Sequence, residues 1–70
     1  MIAYRVLTAR EEQVAALAAE GLFNKEIAAR LYITENSVRA HMRFIFQKTD
    51  CRNRTEVALW WLQEQGKVSP

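Results

Sequence analysis

Between positions 36 and 47, five residues recur at helical spacing with side chains suited to reading hydrogen-bond patterns: Asn36, Arg39, Ala40, Arg43 and Gln47. At 100° per residue they fall on one side of a helix, opposite Val38, Met42, Ile45 and Thr49. The stripe holds two guanidinium groups, two amides and a methyl-sized side chain, and no acid. Arginine donates bidentately to O6 and N7 of guanine, asparagine and glutamine suit adenine, and alanine offers a small contact to the thymine methyl. A helix face that merely meets solvent tends to include glutamates paired at i,i+4. This one carries none, so it points to a duplex groove, with a solvated basic face as the plain alternative.

The charge distribution runs the same way. From Arg39 to Arg54 the five cations Arg39, Arg43, Lys48, Arg52 and Arg54 are opposed only by Asp50. That leaves +4 in this segment and −2 in the remainder of a chain whose total is +2. Such clustering is the footprint expected of a nucleic-acid partner.

Four elements must position this stripe. Thr8 with Glu11 forms a capping box that opens a helix over about 9–20, Leu7 can staple its entry, and Gly21 ends it in the left-handed conformation. Asn24 is an N-cap candidate for a second helix, about 25–31, with Ile27, Ala28 and Leu31 facing inward. Thr34 caps a third, about 35–48, whose apolar stripe is Val38, Met42, Ile45 and Phe46. Asn53, with Glu56 three residues on, caps a fourth over about 54–65, with Gly66 as its stop and Lys67 to Pro70 as a tail. Only Tyr32-Ile33-Thr34 separates the second and third helices, which forces a steep crossing of the helix-turn-helix kind. The fold class is therefore all-α: one compact four-helix domain over 1–70, with a helix-turn-helix core at about 24–48.

Seventy residues allow one domain of marginal stability. A single cysteine, Cys51, excludes an intrachain disulfide, and one histidine leaves no metal-ligand cluster, so neither cofactor nor metal is expected. Met1 to Val6 lack the apolar run of a signal peptide, and the longest apolar stretch, Val57 to Leu62, is too short for a bilayer. A cytoplasmic location, with no membrane partner and no small-molecule ligand in this domain, is the expectation. No catalytic dyad or phosphate-cradling glycine loop is visible, so an enzyme is not expected. His41 reads as a packing residue and Cys51 as a small core residue.

The segments Leu7-Thr8-Ala9-Arg10-Glu11, Gly21-Leu22-Phe23-Asn24-Lys25-Glu26-Ile27-Ala28 and Thr34-Glu35-Asn36-Ser37-Val38-Arg39-Ala40-His41 resemble the LuxR/GerE-type helix-turn-helix family. So do Ile45-Phe46-Gln47-Lys48 and Arg52-Asn53-Arg54-Thr55-Glu56, in unbroken register over about fifty residues. The resemblance implies sequence-specific binding of double-stranded DNA, with the third helix as recognition helix and the fourth, about 54–65, used for dimerisation. It implies base contacts by Arg39, Ala40 and Arg43, joined on the same face by Asn36 and Gln47. It also implies phosphate contacts by Asn24 and Lys25, with Ser37, Lys48 and Arg54 as further backbone contacts. Such regulators commonly carry an N-terminal receiver or sensing domain, so the chain is expected to be a C-terminal piece of one or a regulator on its own.

Several residues depart from the family pattern. Tyr32 occupies a turn position where glycine is common, and a positive φ there would be strained. Phe23 replaces a small hydroxyl residue, Thr49-Asp50 replaces leucine-glycine, and Phe44 stands where a polar side chain is common. Val57 to Leu62 is apolar all round a helix, so one core cannot bury it. Val57, Ala58 and Trp61 would face inward, leaving Leu59, Trp60, Leu62 and Gln63 for a homodimer interface. The alternatives are a protein-interaction module that has lost DNA, or a sigma-factor-like promoter-recognition domain.

Overall fold

Thr8 opens the first helix as a full capping box. Its hydroxyl accepts the Glu11 amide at 3.1 Å, and the Glu11 carboxylate takes the Thr8 amide at 2.9 Å. The structure, a computed structural model, describes residues 7–68, with side chains through residue 65. Expectations for Met1 to Val6, Ser69 and Pro70 lie outside the described residues. Four helices follow in order: α1 (Ala9–Ala19), α2 (Asn24–Leu31), α3 (Glu35–Thr49) and α4 (Arg54–Val68).

The first two helices end in the same way with different residues. After α1, the Leu22 amide donates to the Leu17 carbonyl and the Gly21 amide to that of Ala18, with Gly21 at φ +93°. After α2, Ile33 donates to Ala28 and Tyr32 to Ala29, with Tyr32 at φ +60°, ψ +43°. Both are Schellman closures, which demand one left-handed residue. Glycine supplies it freely at 21, whereas Tyr32 adopts it against the steric preference of its Cβ.

Two expectations at helix starts are corrected. The N-cap of α2 is Phe23, not Asn24, which is the first helical residue. Phe23 has no side-chain acceptor, so the Glu26 carboxylate secures this end by taking the Phe23 amide at 2.8 Å. At α4 the Asn53 side chain accepts the Glu56 amide at 2.9 Å, but the Glu56 carboxylate reaches the Arg52 amide at 2.7 Å, one residue earlier than a capping box would have it. The stop at Gly66 is also corrected: α4 continues through it to Val68. A lone glycine inside a helix weakens it by about 1 kcal/mol without breaking it.

Val14, Ile27, Val38, Ile45 and Val57 are fully buried and draw all four helices onto one core, with Ala15, Leu17, Ala18, Ala28 and Met42 between them. Leu7, Leu31, Ile33, Phe46, Cys51 and Trp61 close its edges. Thus α1 lies against both α3 and α4, and α2 is carried on α3. Ala28 is small where α2 meets the core, and Ile33 fills the turn. Among the described residues, no helix is long and apolar enough to cross a membrane.

Candidate nucleic-acid interface

Thr34 sets the direction of α3. Its hydroxyl accepts the Ser37 amide at 3.0 Å and donates to the Ser37 hydroxyl at 3.1 Å, which fixes the first turn. Val38, Met42 and Ile45 anchor one side in the core. Helical periodicity then presents Asn36, Arg39, Arg43 and Gln47 to solvent, with Ala40 half-buried between them. No acid occurs between Asn36 and Thr49 on this helix. Arg39 donates through Nη1 to Oδ1 of Asn36 at 2.7 Å, so one guanidinium is held within the face itself. Among the described residues, neither Arg39 nor Arg43 is ion-paired to a carboxylate. Phe44 stands beside this face and is half exposed.

The remaining sequence candidates divide into two groups. Lys25 is exposed on the first turn of α2, free to meet an anion. Asn24 and Arg54 face each other instead: Arg54 donates through Nη1 to Oδ1 of Asn24 at 2.6 Å and through Nη2 to the Leu22 carbonyl. The start of α4 is thereby tied to the loop that delivers α2. Ser37 is half-buried, its hydroxyl engaged with Thr34.

Lys48 is bonded within the fold. Its ammonium bonds Oε1 of Glu11 at 2.8 Å, and Glu11 is only 4% exposed. Burial pushes the Glu11 carboxyl up. The hydrogen bond from Lys48, the Thr8 amide, and the nearby positive charges of Lys48 and His41 outweigh it, and the net shift is downward. The carboxylate that caps α1 thus also holds the C-terminal end of α3. The capping role of Glu11 was legible; its burial and partner were not, because they join residues 37 positions apart.

On α4, Val57 is buried and Ala58 and Trp61 are half-buried, as their spacing suggested. Leu59 and Leu62 are 55% and 56% exposed, with Trp60 half-buried between them and Gln63 in solvent. The rings of Trp60 and Trp61 lie 6.2 Å apart at 51°. His41 and Cys51 are half-buried at the core margin, Cys51 as a free thiol.

A longer helix that displays donors beyond the core, joined by a three-residue turn to a shorter helix packed against it, defines a helix-turn-helix domain. Residues 5–61 match the family model for bacterial regulatory proteins, luxR family, and the chain belongs to that family. It is 44% identical over 59 residues to the nitrate/nitrite response regulator protein NarL of Escherichia coli K12, covering 84% of this chain and 27% of that protein. It is 48% identical over 54 residues to the transcriptional regulatory protein LnrK of Bacillus subtilis, covering 77% and 24%. It is also 43% identical over 58 residues to the monoamine regulon transcriptional regulator of Klebsiella aerogenes, covering 81% and 26%. The chain spans about a quarter of the length of these relatives.

Proposed function

We propose that this chain binds double-stranded DNA sequence-specifically to regulate transcription, with α3 lying in the major groove. The observation that supports this best is the acid-free face of α3, whose two guanidinium groups are exposed and unclaimed by any carboxylate among the described residues. Arg39 and Arg43 read guanine edges, Gln47 and Asn36 flank them, and half-buried Ala40 lets the helix approach closely. Lys25 meets a phosphate at the start of α2, where helix amides add a positive end. Asn24 and Arg54, bonded to each other, fix that start against α4, and a phosphate contact from either would come through the donors left over. Ser37 contributes in the same secondary way. Lys48 leaves the contact set, because its charge neutralises Glu11.

The protein acts as a homodimer through α4. Leu59 and Leu62 expose apolar surface on a helix whose inner side is already filled, and Trp60 and Gln63 border it. Two recognition helices related by a twofold axis would then read half-sites whose centres lie about 10 base pairs apart, or a multiple of that. The site of action is the bacterial cytoplasm, on the nucleoid, and the reading requires no cofactor, no catalysis and no small-molecule ligand in this domain.

Selection of bound sequences from random duplex DNA tests this directly. Enrichment of a motif with two symmetric half-sites at that spacing is expected. Recovery of the input pool unchanged, under low-salt conditions that favour binding, would refute sequence-specific recognition.

A further inference from the structure

Asn36 and Arg39 are the one pair within the exposed face of α3 whose side chains bond to each other. Oδ1 of Asn36 receives Nη1 of Arg39 at 2.7 Å, three residues along the helix, while the backbone under Asn36 is fixed by the Thr34 cap. Reading adenine bidentately would require that amide oxygen for the N6 amino group and the amide nitrogen for N7. In this structure one of that oxygen's two lone pairs already accepts from the guanidinium, and that bond draws the amide toward Arg39, so a bidentate adenine contact would have to share the oxygen. Arginine, conversely, has five donors in a rigid planar fork and needs only two of them for O6 and N7 of guanine. A bond through one Nη therefore leaves donors for a base and restricts the orientations the fork can adopt.

Resting on the DNA-reading role of α3, we propose that Asn36 is a positioning residue: it does not read a base of its own but holds the Arg39 guanidinium in the plane from which Arg39 reads guanine. A long exposed side chain loses rotamer freedom when it enters an interface, and a hydrogen bond formed beforehand removes part of that loss. The advantage is confined to complexes in which Arg39 is engaged with the right base. Asn36 thereby contributes to discrimination at the base pair of Arg39 and at no other. Arg43, one turn further along the same face and without such a neighbour among the described residues, reads its base from a less restricted set of orientations.

The two roles for Asn36 make opposite predictions. If it positions Arg39, Asn36→Ala lowers discrimination about two- to tenfold at the base pair that Arg39→Ala also blurs. It then has no further effect in the Asn36→Ala/Arg39→Ala double variant. If it reads adenine, Asn36→Ala alters preference at a different base pair and its effect adds to that of Arg39→Ala.

The experiment is a quantitative binding measurement of the wild type, both single variants and the double variant. Each is titrated against the selected site and against every single-base change in one half-site. Asn36 is exposed, so the variant should fold, and circular dichroism melts confirm this before binding is compared. Loss confined to the Arg39 base pair and absent from the double variant supports the positioning role. An additive loss at another base pair overturns it while leaving groove recognition intact. An Arg39→Ala variant with unaltered preference at every position would remove Arg39 as a base reader and overturn this inference, while Arg43→Ala tests groove recognition by α3 separately.

Discussion

Replacing Lys48 by methionine keeps most of the aliphatic stem against the fold and removes the ammonium that Glu11 accepts at 2.8 Å. Glu11 is 4% exposed, so its carboxylate would then be held only by the Thr8 amide and the field of His41. A hydrogen bond to a charged group contributes about 1.5–3 kcal/mol, and stranding the buried partner adds to the loss. The Lys48 side chain is 26% exposed, which lets water screen the pair and moves the expected destabilisation to about 1–2 kcal/mol. In a domain of this size that is a fall in Tm of roughly 5–15 °C.

The effect depends on pH in a definite direction. The Glu11 pKa lies below its usual value in the folded protein, so the stabilisation is complete above the ordinary carboxylate range. It disappears as pH falls through the folded pKa. In the variant the contacts from Lys48 are gone, so burial draws the same carboxyl upward relative to the wild type, against only the Thr8 amide and His41. The stability gap between the two proteins should therefore be widest near neutrality and close in acid. Urea unfolding followed by circular dichroism from neutral pH to about one unit below the ordinary carboxylate range measures it. An unchanged midpoint at pH 7, or a gap that stays constant through the acid range, would refute the assigned role of this pair. The salt dependence of DNA binding separates the two employments of Lys48. If its charge serves Glu11, the slope of log affinity against log salt stays the same, whereas a phosphate contact would lower it by about one.

Three further outcomes are expected. Tyr32→Gly relieves a left-handed residue that is 94% exposed, so no burial is lost. Strain of about 1–2 kcal/mol set against about 0.5–1 kcal/mol of added chain entropy gives a net gain near 0.5–1 kcal/mol. A lower Tm in thermal melts would contradict it. Lys25→Ala weakens binding to all duplexes alike and reduces the salt slope by about one, measured by mobility shift on specific and mixed DNA. Leu59→Glu and Leu62→Glu change the unfolding free energy of the domain by no more than about 0.5 kcal/mol, both side chains being exposed. They reduce the two-per-site stoichiometry on a selected duplex, as sedimentation would show, and an undiminished dimer would remove α4 from the interface.

The elements were legible because their signals are local. Thr8 with Glu11, Gly21, Thr34 and the stripe Val38-Met42-Ile45 each act within a few residues, and the structure places them as the spacing implied. That position 32 turns the chain was legible, but not that Tyr32 would take the left-handed conformation there, which its side chain disfavours. What the sequence concealed was tertiary pairing. Nothing in the one-dimensional pattern says that Lys48 meets Glu11 or that Arg54 meets Asn24 and the Leu22 carbonyl, because each pair joins distant positions. The charge count grouped Lys48 and Arg54 with Arg39 and Arg43, and a linear count does not show which cations are bonded within the fold. The end of α4 was not legible either, because a single glycine weakens a helix without ending it, and α4 continues through Gly66.

On the proposed function, Arg39 and Arg43 on the open face of α3 supply the specificity. Titration of the wild type and the Arg39→Ala and Arg43→Ala variants against a selected operator and a scrambled duplex, at one fixed salt concentration, tests it. Each substitution should lower specific affinity by about 1–3 kcal/mol, roughly five- to 150-fold, and change the scrambled-duplex affinity far less, so that the specificity ratio collapses. Two variants that keep the wild-type ratio would show that the recognising surface lies elsewhere.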